Sequence, residues 1–458
     1  MKQATVSMMS RLAAVFAVAA LAAGCATAPP ASEQATRLSS SNNVSSNSSS
    51  NGSATVQDAA ATQLLSAPAA KAAEPALASA PDGTVFALWV EHAGEGGADV
   101  MLARVGADGR RAGESVRVNP RAGQAKSWRG DPPTVAVAHD GTVYVGWTAR
   151  VESENKHAND LYLSASRDGG RTFSPPVKVN DDKRPGVHGM HSLAVDDAGR
   201  VHLAWLDERN LDAHGHASAP KAASQPASAP AQHMERNRDV FTAFSDDGGR
   251  SISPNRLIAR EACPCCKTAV AVGAEGRVYV GWRQVLPGDL RHIAVAASAD
   301  GGQTFSESVN VSDDRWTIGG CPVSGPALGV DTEGALRVAW YTEGDAGAAG
   351  LYESESRDGG RTFAPRRALS QATVTGSPSL TKDARGRYVA VWQEGTGAEM
   401  RLMSAPLSGG AGDVAAGARA ASALGNGQLP AAAVSGGHLF VLYLASAESE
   451  RGVWLRRA

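Results

Sequence analysis

Ser166-Arg167-Asp168-Gly169-Gly170-Arg171-Thr172-Phe173 decides how this chain is read, because the phrase returns. It recurs as Ser298-Ala299-Asp300-Gly301-Gly302-Gln303-Thr304-Phe305 and as Ser356-Arg357-Asp358-Gly359-Gly360-Arg361-Thr362-Phe363. An altered copy is Ser245-Asp246-Asp247-Gly248-Gly249-Arg250-Ser251-Ile252. The shared frame, S-x-D-G-G-x-[TS]-[FI], suits a tight turn between two strands. The Asp carboxylate accepts hydrogen bonds from backbone N–H groups, and the Gly pair supplies the positive φ that other residues resist. The Ser and Thr hydroxyls bond locally, and the last residue anchors the turn in an apolar layer.

A second phrase, an apolar strand ending in Trp or Tyr, is interleaved with these turns. It runs Thr84 to Trp89, Thr142 to Trp147, Arg200 to Trp205, Arg277 to Trp282, Leu336 to Trp340, Arg387 to Trp392 and Leu439 to Tyr443. The first four copies follow Asp82-Gly83, Asp140-Gly141, Ala198-Gly199 and Glu275-Gly276, which suits a hairpin from a preceding strand such as Val135-Ala136-Val137. A third strand, as in Leu161-Tyr162-Leu163-Ser164, leads into the Asp-Gly-Gly turn, and a fourth, as in Val177-Lys178-Val179-Asn180, leaves it. The pattern predicts an all-β chain of seven units, each of four antiparallel strands. Radial repetition of such units, a β-propeller, protects sheet edges. The seventh unit reaches its third strand at Gly452-Val453-Trp454-Leu455, while Gln63-Leu64-Leu65-Ser66 precedes the first. The N-terminal run is therefore expected to complete the last blade.

Length and composition agree. The chain has 458 residues and 50 glycines, and it contains no long stretch of helical period. A net charge of −2 argues against a nucleic-acid partner. Lys2 and Arg11 precede the apolar run Leu12 to Leu21, which is too short to span a bilayer and reads with Cys25 as an export signal over residues 1–25. Residues 26–61 are rich in Ser and Asn and read as a disordered tether spanning about 35 Å. The repeat domain occupies 62–458. Its third unit carries a low-complexity insertion over 211–235 that includes His214, His216 and Met234.

The repeated phrase resembles the Asp box, or BNR repeat, of the sialidase-like β-propellers. That resemblance implies that Asp168, Asp247, Asp300 and Asp358 are structural and lie on the face opposite any active site. Seven units depart from the six blades of the catalytic family. Leu21-Ala22-Ala23-Gly24-Cys25 resembles a bacterial lipobox, which implies a lipid on Cys25 and attachment to a membrane. Ala26 after it implies the periplasmic face of the outer membrane. A sialidase needs three arginines to grip a carboxylate. Here Ala73 stands where the family's first arginine is expected, and Arg129, Arg209 and Arg283, with Asp131 as a carboxylate, are the candidates for an exo-glycosidase acting on acidic glycans. Tyr341 with Glu343 is the nearest match to the family's Tyr and Glu pair.

With Cys25 assigned to lipid, Cys263, Cys265, Cys266 and Cys321 remain. An oxidising compartment favours disulfides, such as one from Cys321 to the Cys263 to Cys266 group. Adjacent and C-x-C pairs are awkward to bridge, however. Clustered thiolates select copper(I) or zinc, with His188 and His191 as further ligands. Redox or thiol-transfer chemistry is a third reading of the same sulfurs. If connections alternate between two faces, Trp128 to Pro132, His188 to His191, Cys263 to Lys267 and Gly319 to Pro322 converge at the mouth of the channel away from the Asp-Gly-Gly turns. The sequence thus leads to an extracytoplasmic propeller that binds a ligand there, a soft transition metal first. An exo-glycosidase and a non-catalytic protein-interaction scaffold stapled by disulfides are the alternatives.

Overall fold

The computed structural model describes residues 62–68, 70–93, 97–126, 131–211, 236–318, 322–344, 349–374, 376–396, 399–408, 421–445 and 451–458. The export signal, the tether, the insertion beyond Leu211, Arg129 and Cys321 lie outside the described residues. The described chain is all-β apart from a short 3-10 turn at Ala274–Gly276.

Strands fold up in sequence order, each antiparallel to the next. One four-stranded sheet is Lys71–Ser79, Val85–His92, Ala98–Val105 and Val116–Arg117. The next is Thr134–Val137, Val143–Arg150, Asn159–Ser166 and Val177–Lys178. Later in the chain come Ala327–Val330 to Arg367–Ser370, then Ser379–Lys382 to Ser422–Asn426. The last is Gln428–Ser435, His438–Leu444 and Val453–Arg457, whose outer edge is covered by Thr62–Leu64. Thr62 pairs with Arg456, Gln63 with Leu455 and Leu64 with Trp454. The N-terminal run therefore completes the C-terminal sheet, as its apolar pattern predicts.

Between the second and third of these lies one departure from the expected series of separate sheets. The strands from His188–Val195 to Arg256–Ala262 and those from Ala269–Val272 to Trp316–Thr317 form a single nine-stranded sheet. The link is one residue pair, Ala262 with Gln284. It forms because the chain continues alongside the next unit, where the Cys263 N–H donates to Arg283 O at 2.8 Å.

The aromatic strands explain how the sheets stack. Trp89, Trp147, Trp205, Trp282, Trp340 and Trp392 are among the largest fully buried side chains. Each indole N–H finds an acceptor: Glu91, Ser164, Asp207, Gln284, Asp314 and Glu394 respectively. Four of these acceptors stand two residues after their Trp, because alternate residues share one face of a strand. The hydrophobic clusters are layers between successive sheets. Phe86 and Leu88 pack with Val145 and Trp147, and Leu163 packs with Leu203 and Trp205. The series continues sheet by sheet until Phe440 and Leu442 pack against Val85, Ala87 and Trp89, joining the last sheet to the first. The first strands neighbour one another in the same cyclic order, from Lys71–Ser79 through Thr134–Val137, His188–Val195, Ala269–Val272, Ala327–Val330 and Ser379–Lys382 to Gln428–Ser435.

All four Asp-Gly-Gly turns join a third strand to a fourth and share one hydrogen-bond pattern. Asp168 Oδ1 accepts from the N–H of Arg171 and of Thr172 and from Ser166 Oγ, while Oδ2 accepts from Thr172 Oγ1 at 2.6 Å. Ser166 Oγ in turn accepts from the Gly170 N–H at 2.8 Å. Asp247, Asp300 and Asp358 repeat these contacts. The carboxylates are held below the usual range, first by the Thr or Ser side chain donating to each. For Asp300 the value falls to about 2.

Two outcomes follow. Gly170 has φ 78°, and a Cβ there would meet Phe86 Cε1 at 3.0 Å on the neighbouring sheet. Gly170→Ala is expected to cost about 1–2 kcal/mol from the left-handed backbone alone, plus the contact, read as a lower urea midpoint. The Asp300 carboxyl is more acidic folded than unfolded, so its stabilisation is present above pH ~4 and is lost as pH falls through about 2. The urea midpoint of Asp300→Asn should therefore fall less between pH 4 and 2 than that of the unmodified chain.

Candidate functional site

Cys263-Pro264-Cys265-Cys266 forms the connection from Arg256–Ala262 to Ala269–Val272, between the third and fourth strand groups. A turn with the Cys266 N–H facing Cys263 O folds the segment back on itself. Arg238 Nη1 donates to Pro264 O at 2.9 Å and fixes the turn from outside. The three cysteines are 1%, 0% and 1% exposed. They pack with Met190, Leu206, Val240, Val280 and Trp282.

This folding brings sulfur onto sulfur. Cys263 Sγ lies 3.5 Å from Cys266 Sγ and 3.8 Å from Cys265 Sγ, and all three sulfurs lie within 4.8 Å of one another. Cys263 and Cys266 are free thiols. Cys265 is disulfide-bonded, to neither of them, and no disulfide joins two described residues. Burial works against a thiolate at Cys266, yet the hydrogen bond with Cys263 and the nearby Arg283 guanidinium bring its pKa down. The Cys263 thiol is pushed up, chiefly by the same hydrogen bond. A hydrogen-bonded neighbouring sulfur and a fixed cation together favour a thiolate at Cys266.

The other expected site residues hold separate partners. His188 Nδ1 meets Asn159 O at 2.6 Å, and its Nε2 lies 3.1 Å from Asp182 and 3.6 Å from Asp207. Burial opposes the charged ring, but the Asp182 and Asp207 carboxylates raise its pKa overall. Arg209 joins this network, donating to Asp207, Asp181 and Asn255 and stacking 4.2 Å over Phe241. Arg283 is fully buried. It donates to Ser324 O and Tyr341 O and lies 4.9 Å from the Trp316 ring centroid. Tyr341 Oη donates to Glu343 at 2.5 Å, and burial raises its pKa. The structure thus gathers three of the four expected sulfurs and leaves His188 and His191 outside that group.

A second polar group lies where successive first strands begin. His191 Nδ1 lies 3.3 Å from Asp131 Oδ1, and both residues are buried. Among the described residues, that carboxylate oxygen and both imidazole nitrogens make no hydrogen bond. Lys267 donates to Pro132 O at 3.3 Å. Burial lowers its pKa to about 8 against the opposing pull of Asp131 and Glu74. Lys267 and Glu74 escaped the sequence reading. The signal was a charged residue at or near the start of three of the first strands, in Glu74-Pro75, Asp131-Pro132 and Lys267-Thr268.

No protein-family model matches the chain, and no curated protein matches it. A solved protein of unknown function from Dyadobacter fermentans aligns with a TM-score of 0.50 at 12% identity, over 86% of this chain and 97% of its own. An ulvan lyase of a new polysaccharide lyase family aligns with a TM-score of 0.51 at 10% identity, over 84% of this chain and 93% of its own. A Hadza microbial sialidase aligns with a TM-score of 0.47 at 15% identity, over 82% of this chain and 76% of its own. The cyclic packing of successive antiparallel sheets is that of a β-propeller. At such identities the likeness extends to fold alone.

Within this propeller, Arg283 fixes backbone rather than presenting its guanidinium to a ligand. Arg283→Met leaves Ser324 O and Tyr341 O without their donor, so a loss of about 2–5 kcal/mol is expected in urea unfolding. A substrate-gripping arginine would leave stability nearly unchanged when replaced.

Proposed function

We propose that this chain is a seven-bladed, Asp-box propeller, tethered by a lipid on Cys25 to the periplasmic face of the outer membrane, that holds a soft transition metal at the Cys263 turn. Support for seven blades comes from the cyclic packing of the first strands and of the hydrophobic layers between sheets. The lipid anchor rests on the Leu21 to Cys25 sequence.

One observation carries the metal reading. Sulfurs bound to a tetrahedral zinc at about 2.3 Å stand about 3.8 Å apart along each edge. Cys263 Sγ stands 3.5 and 3.8 Å from its two neighbours. The donor set is sulfur only, which selects zinc or copper(I) over calcium or magnesium. Three-sulfur binding takes the reduced form of Cys265. Cys321 is the fourth sulfur in this reading, and also the disulfide partner we assign to Cys265, since Cys25 carries lipid.

The disulfide on Cys265 favours a second reading, in which the bond staples neighbouring blades and the propeller is a protein-docking scaffold. The exo-glycosidase reading has less support, because Arg209 and Arg283 are held by their own partners.

Full-length protein isolated with reductant is expected to carry about one zinc or copper per chain by elemental analysis, and Cys266→Ser to lose it. Reduced protein without stoichiometric metal would sink the metal reading. Turnover of a fluorogenic sialoside that disappears in Arg209→Ala, with folding intact, would restore the glycosidase.

A further inference from the structure

Cys263 and Cys266 stand in C-x-x-C spacing, remain thiols, and bring their sulfurs to 3.5 Å. A disulfide needs about 2.05 Å. The separation thus closes by about 1.5 Å. Pairings with Cys265 are less favourable. Cys263 with Cys265 closes a C-x-C loop across a proline, and Cys265 with Cys266 is an adjacent pair. The turn therefore singles out one pair of sulfurs for reversible bond formation.

We infer that Cys263 and Cys266 are a redox couple that exchanges two electrons with a small disulfide, beyond any role as metal ligands. One thiolate of the pair attacks a sulfur of the incoming disulfide. The incoming S–S bond breaks, one small thiolate leaves, and a mixed disulfide joins the other half to the protein. The second cysteine gives up its proton and attacks its neighbour's sulfur, releasing the second small thiolate. Two protein thiols are oxidised, one small disulfide is reduced to two small thiols, and both protons end on the products.

Arg283 suits this role without taking part in bond changes. Its Nε and Nη2 are held by Ser324 O and Tyr341 O, while Nη1 makes no hydrogen bond among the described residues. A fixed cation beside the pair stabilises the sulfur anion formed at each exchange. The pair is about 1% exposed, so exchange proceeds through local opening of the turn and is slow. Where the proposed metal is bound, oxidation removes two of its ligands and releases it.

The test uses the full chain, with and without added zinc, in buffers of increasing oxidised-to-reduced glutathione. Samples are quenched in acid, unfolded, alkylated and weighed. The expected result is the reversible loss of both free thiols together, with zinc released one for one to a chromogenic chelator. Cys265→Ser should retain the transition, while Cys263→Ser and Cys266→Ser should abolish it and leave a mixed disulfide on the remaining sulfur. Thiols that stay alkylatable at every ratio, or oxidise only as fast as the whole protein unfolds in urea, would overturn the inference. Should the couple form while reduced protein holds no metal, this inference stands and the metal reading falls. Metal binding without disulfide formation gives the reverse.

Discussion

Burial of one large aromatic side chain per unit, an indole in six and Tyr443 in the last, is the constraint on which the architecture depends. A twisted four-stranded sheet has two faces, and each must lie against something apolar. Here one face sends its own Trp against the preceding sheet and the other receives the Trp of the following one, as Trp147 beside Leu88 and Tyr144 beside Trp205 do from opposite faces of the same strand. Replacing a buried Trp by Ala costs about 3–5 kcal/mol in a well-packed core. The indole N–H adds a further demand, because an unpartnered donor in such a layer is itself destabilising. Glu91, Asp207, Gln284 and Glu394 meet that demand from the same strand face, so the repeat carries its own polar solution.

Closure of the series rests on the same burial together with a borrowed strand. The last sheet borrows Thr62–Leu64 from the other end of the chain, and the layer of Phe440, Leu442 and Leu455 with Trp89 joins last to first. At the third-to-fourth strand turns, the Asp carboxylates are more than ornament to a glycine bend. Each accepts from the two backbone N–H groups that follow the left-handed glycine pair, while the Ser hydroxyl accepts from the second glycine's N–H. Those turns are almost identical to one another, and they leave the other connections free to differ.

The Cys263 turn shows what that freedom permits. Its backbone is tied to the next unit through Arg283 O, which fuses two sheets and draws the sulfurs under Met190 and Val280. Arg283 is then anchored to the following unit through Ser324 O and Tyr341 O. Sulfur, guanidinium and carbonyl form a chain of contacts across three strand groups. The half-buried Lys267 beside Asp131 and Glu74 extends this polar seam along the inner strands.

Much of this was legible in the residues. Apolar strands ending in Trp, a glycine pair after Asp, and an apolar run placed before the first unit fixed strand order and the N-terminal closure, because those signals are local and have period two. Sulfur clustering was also legible, since Cys263, Cys265 and Cys266 are neighbours in the chain. The fused sheet was not, because it depends on a single bridge, Ala262 to Gln284, that no pattern announces. Nor was the separation of His188 and His191 from the thiols: adjacent residues on a bulged strand face different neighbours, and only the packed sheets decide which. Sequence alone determined the repeat, its hairpins and which residue types could do chemistry, since these follow from local hydrogen bonding and alternation. Tertiary structure alone decided which side chains are held by carboxylates and carbonyls and which remain free to react, because that depends on contacts between sheets far apart along the chain.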